Sequence, residues 1–151
     1  MSTGRASGPL LFQAPGPRPH SASSRALAEP PILVHAPATA RRLGLDRLVC
    51  YDALELFAFV RPARFCLPTA RGLAEATGQS VPHGLAAEAQ AVREAVRRLL
   101  AELAEPLVAR NPDIVGAARA MARGGWRWAE AVLAALGDAP DAYQSDRSVQ
   151  G

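Results

Sequence analysis

The chain has 151 residues, 49% of them apolar and 5% aromatic, and 17 basic against 14 acidic side chains leave a formal charge of +3. That length supports one domain at most. No run of about 18 apolar residues exists, which excludes a transmembrane helix. Every basic residue is arginine; without lysine there is no complete P-loop for nucleotide phosphates and no lysine Schiff base.

Alanine is abundant and aromatics are scarce, so the core must be built from small and aliphatic side chains packed on thin helices. The stretch Met1 to Pro19 lacks the continuous apolar run of about 7 to 15 residues of a secretory signal. Two cysteines, Cys50 and Cys66, make no disulfide framework. A reducing cytoplasm is therefore the expected setting. A charge of +3 over this length is weak evidence for nucleic acid, because dedicated DNA-binding modules concentrate charge on one face.

Residues 1–29 read as a disordered leader, with Pro15, Pro17 and Pro19 followed by Ser21, Ser23 and Ser24. Order is expected from Pro31. Ile32 to His35 reads as a buried strand, and Ala38 to Leu43 as a brief helix with Gly44 at its C-cap. Leu48 to Tyr51 reads as a second strand. Asp52 and Glu55 have capping-box spacing ahead of a helix from Ala53 to Val60, with Leu54, Phe57 and Ala58 on one stripe. Pro62 ends that helix. A loop with Arg61 and Arg64 follows, and Thr69 starts a short helix that Gly78 stops.

The most regular helix is 85–105, where Leu85, Ala89, Val92, Val96, Leu99 and Leu103 form one apolar stripe. Asn111-Pro112 starts the next helix, 114–123, by capping. A last helix spans 126–136, with Trp126 on the core side and Trp128 partly outward. Residues 138–151 read as a polar, disordered tail. The expected fold class is α/β and predominantly helical: two short strands, then a helical half.

Candidate chemistry is sparse. His20, His35 and His83 lie far apart, and neither cysteine has a ligand at metal-site spacing. Cys50 or Cys66 could meet His35 as a nucleophile and base if the strands were neighbours, although cysteine more often serves as a small core hydrophobe. Asp52 and Glu55 could act as metal-binding acids, but a capping box explains the same spacing. Arg61, Arg64 and Arg71 could lie on one loop and grip phosphate oxygens with their guanidinium forks.

The stretch "PPILVHAPATARRLG … LVCYDALELFAFVRPARFCLPTARGLAEATG" resembles the N-terminal region of bacterial DinG-like ATP-dependent DNA helicases, in particular the alphaproteobacterial branch. "MARGGWRWAEAVLAALG" resembles the end of that region, so the likeness covers roughly residues 31 to 137. The resemblance implies an eroded DEDD exonuclease domain with an RNase H-like sheet, occupying residues 30–137. Intact members carry a paired Asp-x-Glu on a strand, then an "HNAxFDxxFL"-like segment, then a "DTLELAR"-like segment. Here His35 is kept, Ala36 replaces the Asn, and the metal-binding Asp falls on or near Ala40. Asp52 and Glu55 stand in the third segment, and no Asp-x-Glu precedes Ile32.

Two-metal hydrolysis needs several carboxylates around the ions, so the nuclease is expected to be dead. The resemblance implies a non-catalytic accessory domain that positions single-stranded DNA or packs on helicase motor domains in cis. ATP, Mg²⁺ and in many members an iron–sulfur cluster would belong to downstream parts of the parent helicase, with this chain as its partial, truncated or orphaned front end. Residual exonuclease-like positions are His35, Asp52 and Glu55; DNA-contact candidates are Arg61, Arg64 and Arg71. The alternative is a stand-alone protein-interaction module that docks helix 85–105 on a partner.

Overall fold

Pro30 and Pro31 lack backbone N–H groups, and Asp52 is committed to starting a helix; between these limits only a very short sheet can form. The computed structural model describes residues 29–138, so the expected leader and tail lie almost wholly outside the described residues. β1 is Ile32–Leu33 and β2 is Tyr51–Asp52. They pair in parallel with Ile32 opposite Tyr51 and Leu33 opposite Asp52, and the Pro31 carbonyl accepts from Tyr51 N–H at 2.8 Å.

Both strands are shorter than the sequence predicts, and the second is shifted. Pro31 has no N–H to extend the ladder backwards, so Leu48 and Val49 stay outside it. Past Leu33 and Asp52 the chain turns into helix. The crossover between the strands is α1, Ala36–Leu43. Its C-cap Gly44 sits at φ 66°, where its N–H reaches the carbonyls of Ala40 and Arg41, as the sequence predicts.

α2, Ala53–Val60, has the predicted bounds and its predicted Asp52 N-cap. Its buried side is Ala53, Leu56 and Phe57, not Leu54 and Ala58, which leaves Ala58 exposed. α3, Ala70–Ala76, is capped by Thr69, whose hydroxyl accepts from Gly72 N–H at 3.0 Å. A side chain at Gly72 would meet Leu67 Cβ at 2.6 Å and the Leu67 carbonyl oxygen at 2.7 Å. Glycine is what lets the preceding loop lie against this helix.

α4, Leu85–Leu103, is the centre of the structure. It packs on α2, α3 and β1 and on the later helices. Val92, Val96, Leu99 and Leu103 are buried as predicted, together with Ala91 and Ala95. The stripe fails in its first turn, where Leu85 is 87% exposed and Ala89 is also exposed. From Val92 onward the stripe is spent on the chain's own core, and its head, Leu85 and Ala89, is left uncovered.

Pro106 does more than end α4: it opens a further turn, α5, Pro106–Ala109, at the position that tolerates a missing N–H. α6 spans Pro112–Arg123, and Asn111 Oδ1 accepts from Asp113 N–H at 3.0 Å. α7, Ala129–Ala135, is shorter than the predicted 126–136. Residues 126–128 lie outside regular helix, which reverses the two tryptophans: Trp128 is 3% exposed in the core, whereas Trp126 is half-buried.

Among the described residues the architecture is thus seven helices around one two-stranded sheet. The core joins Leu56, Leu73, Leu99, Leu103 and Val132 from α2, α3, α4 and α7. It is a predominantly helical α/β fold.

Candidate functional site

Asp52 stands where β2 ends and α2 begins, and it is 4% exposed. Its Oδ1 accepts from the N–H groups of Leu54 and Glu55 at 2.9 and 3.2 Å. Its Oδ2 accepts from Ala36 N–H at 2.7 Å, the first residue of α1. One carboxylate thereby caps two helices, and both oxygens are committed to backbone amides. His35 Nδ1 lies 3.6 Å from Oδ2, an ion-pair distance when the imidazole is protonated.

Glu55 does not close the capping box. Its Oε2 instead accepts from the Trp126 indole N–H at 3.1 Å, tying α2 to the segment before α7. His35, Asp52 and Glu55 therefore share a neighbourhood; both Asp52 oxygens are bonded to backbone amides, whereas Glu55 is exposed and gives one oxygen to the Trp126 indole. Asp52 has no oxygen turned to solvent for a divalent cation, so the residues present do not fit a two-metal centre. No group of three or more His, Cys, Asp or Glu side chains that could hold a metal ion is found among the described residues.

The cysteines carry no nucleophile signature. Cys50 is buried; desolvation, with help from the negative charges of Asp52 and Glu55, pushes its thiol above the usual range. Burial also raises the Cys66 thiol, which donates to the Leu67 carbonyl at 3.3 Å. Activation requires the opposite shift.

The three candidate DNA-contact arginines separate. Arg61 points inward: Nε and Nη2 donate to Glu102 at 2.9 and 2.8 Å, and Nη1 donates to the Ala76 carbonyl at 2.6 Å. Its guanidinium also lies 5.9 Å from the centre of the Phe57 ring. Arg61 thus clamps α2, α3 and α4 together. Arg64 is exposed on the loop. Arg71 belongs to α3 and not to that loop, and it too is exposed. Neither Arg64 nor Arg71 has a side-chain partner among the described residues.

A groove of about 910 Å³ runs between β1, α1 and the N-terminal turns of α3 and α4. Arg71 lines it, as do Arg42 of α1 and Arg93 of α4, with His35 at one side and Glu88 on α4. Sequence reasoning missed Arg42, Glu88 and Arg93 as site residues. They come from elements distant in sequence, and only the packing of α1 and α4 about β1 brings them to one place. The chain matches no protein-family model, no curated protein and no solved structure.

Proposed function

We propose that this chain is a non-catalytic accessory domain of an ATP-dependent DNA helicase, positioning single-stranded DNA or packing on the motor domains. The observation that carries the non-catalytic part is the Asp52 carboxylate, held by three backbone N–H groups and turned away from solvent. A hydrolytic site needs acids free to hold metal and water, and here Asp52 caps two helices. Arg64 and Arg71 support the DNA-positioning part: both are exposed cations without partners among the described residues, and a guanidinium fork suits phosphate oxygens. Arg61 supports the domain from inside.

The test is to incubate the chain with end-labelled single-stranded DNA and Mg²⁺ or Mn²⁺, following binding and strand length together. DNA retained by the protein at full length is the expected result. Metal-dependent shortening that disappears in Asp52→Asn would overturn the reading.

A further inference from the structure

We infer that the groove framed by β1, α1 and the heads of α3 and α4 binds a small amphipathic anion, an aliphatic chain ended by one carboxylate or phosphate. Alanine explains why a groove exists there. Ala38, Ala70 and Ala89 line it from α1, α3 and α4. Side chains this short leave the three helices framing a space of about 910 Å³ instead of filling it. Sites for small molecules occupy about 300–1,000 Å³ and are mostly apolar, with a few polar groups that fix orientation. The apolar lining here is aliphatic: Ile32, Leu33 and Val34 contribute to it, with Leu85 and Val92 of α4. Leu85 is 87% exposed and Ile32 36%, so the fold itself leaves part of this surface uncovered.

The polar lining restricts the ligand's polarity to one charged end. Arg42, Arg71 and Arg93 come from three helices, and all are exposed and without side-chain partners among the described residues. Glu88 is the one acid in the lining among the described residues. Guanidinium forks hold carboxylate and phosphate oxygens in two-point contacts, so the excess of arginine selects an anion. The other polar side chains are already engaged. The Thr39 hydroxyl donates to the His35 carbonyl at 3.1 Å, and the Thr69 hydroxyl accepts from Gly72 N–H at 3.0 Å. His35 Nδ1 stands 3.6 Å from the Asp52 carboxylate. A sugar or nucleoside would bring hydroxyls here at the cost of their bonds to water. No Phe, Tyr or Trp lines the groove among the described residues, so nothing stacks on a base or an aromatic ring. An aliphatic body with its charge at one end suits both parts of the lining.

This inference does not rest on the helicase reading, and its test leaves Arg64 and Arg71 intact. Hexanoate, octanoate, decanoate and octyl phosphate are titrated into the full chain by calorimetry at low salt, each below its micelle-forming concentration. Saturable binding is expected, each added CH₂ tightening it about twofold to fourfold. The tighter of octanoate and octyl phosphate names the head group. Octanol and inorganic phosphate each carry half of the ligand and should bind about tenfold more weakly or worse. Arg42→Ala/Arg93→Ala should weaken octanoate about tenfold, and Leu85→Ser should shrink the gain per CH₂. All three positions are exposed, so both variants should keep their circular dichroism and melting curves. Absence of saturable binding, affinity indifferent to chain length, or equal affinity in the double variant would each overturn the proposal. So would binding of an oligothymidylate, but of none of the alkyl anions, that is lost in the double variant; the groove would then be a nucleic-acid site.

Discussion

Trp128 donates its indole N–H to the main-chain carbonyl of Asp52 at 2.7 Å, joining residues 76 positions apart. The Tyr51 ring packs 4.8 Å from the Trp128 ring at a 58° tilt. Asp52 therefore links four segments: its carboxylate caps α1 and α2, its backbone closes β2, and its carbonyl anchors the approach to α7. An acid that could be read from sequence as catalytic is the junction of the fold.

Trp128→Phe keeps most of the apolar volume but removes the indole donor from the Asp52 carbonyl, which as the N-cap carbonyl of α2 keeps its helical bond. Chemical denaturation should show a loss of about 0.5–1.5 kcal/mol, the net worth of one hydrogen bond. An unchanged midpoint would mean that water or a shifted neighbour takes the donor's place.

Asp52→Ala removes both caps at once, so its cost should exceed that of one ordinary N-cap, about 1 kcal/mol. Asp52→Asn retains a single acceptor oxygen and should fall between wild type and alanine. Urea midpoints for the three proteins check the order. Equal midpoints for Asn and Ala would show that only one of the two caps matters.

Arg61→Ala and Arg64→Ala should differ sharply although both remove one charge from the same loop. Loss of Arg61 leaves Glu102 and the Ala76 carbonyl without their donor and should cost about 1–3 kcal/mol. Loss of the exposed Arg64 should stay within about 0.5 kcal/mol. Thermal melts of the two variants separate a clamp from a surface residue.

Glu94 accepts from Arg97 Nε and Nη2 at 2.7 Å each and from Arg98 Nε at 2.8 Å. Hydrogen bonds from Arg97 first, then Arg98, lower its carboxyl from 4.5 to about 2. A depressed carboxylate stabilises the fold above its unfolded value and loses that contribution as pH falls towards its folded value. The melting temperature should therefore fall between about pH 4.5 and pH 2, and fall less in Glu94→Gln. Arg119 lowers Asp138 in the same direction, so the variant should flatten the acid limb without abolishing it. Added salt should narrow the difference, because exposed pairs are screened.

Local chemistry was readable from the sequence wherever one short segment decides the outcome. Asp52 before α2, Asn111-Pro112 before α6 and Gly44 after α1 each act within a few residues, through a cap or a left-handed turn. The tryptophans failed for the complementary reason. Helical spacing places Trp126 inward, but Gly124-Gly125 delays the helix to Ala129, and without helical geometry the spacing carries no face information. The head of α4 failed because periodicity reports a stripe but not where its cover ends: Leu85 continues the pattern beyond the elements that bury Val92 and Val96. Arg61 could not be told from Arg64 by composition, since its partners Glu102 and Ala76 lie on other helices. The groove lay further still from view, since Arg42, Arg71 and Arg93 come from three helices.

The most direct test of the DNA-positioning role is the salt dependence of oligothymidylate binding, by fluorescence anisotropy, for wild type and Arg64→Ala/Arg71→Ala. If both arginines contact phosphates, the slope of log affinity against log salt should shrink in magnitude by about 1.4 in the variant, at about 0.7 per contact. Parallel lines of equal slope would contradict that role and leave the domain a packing element alone.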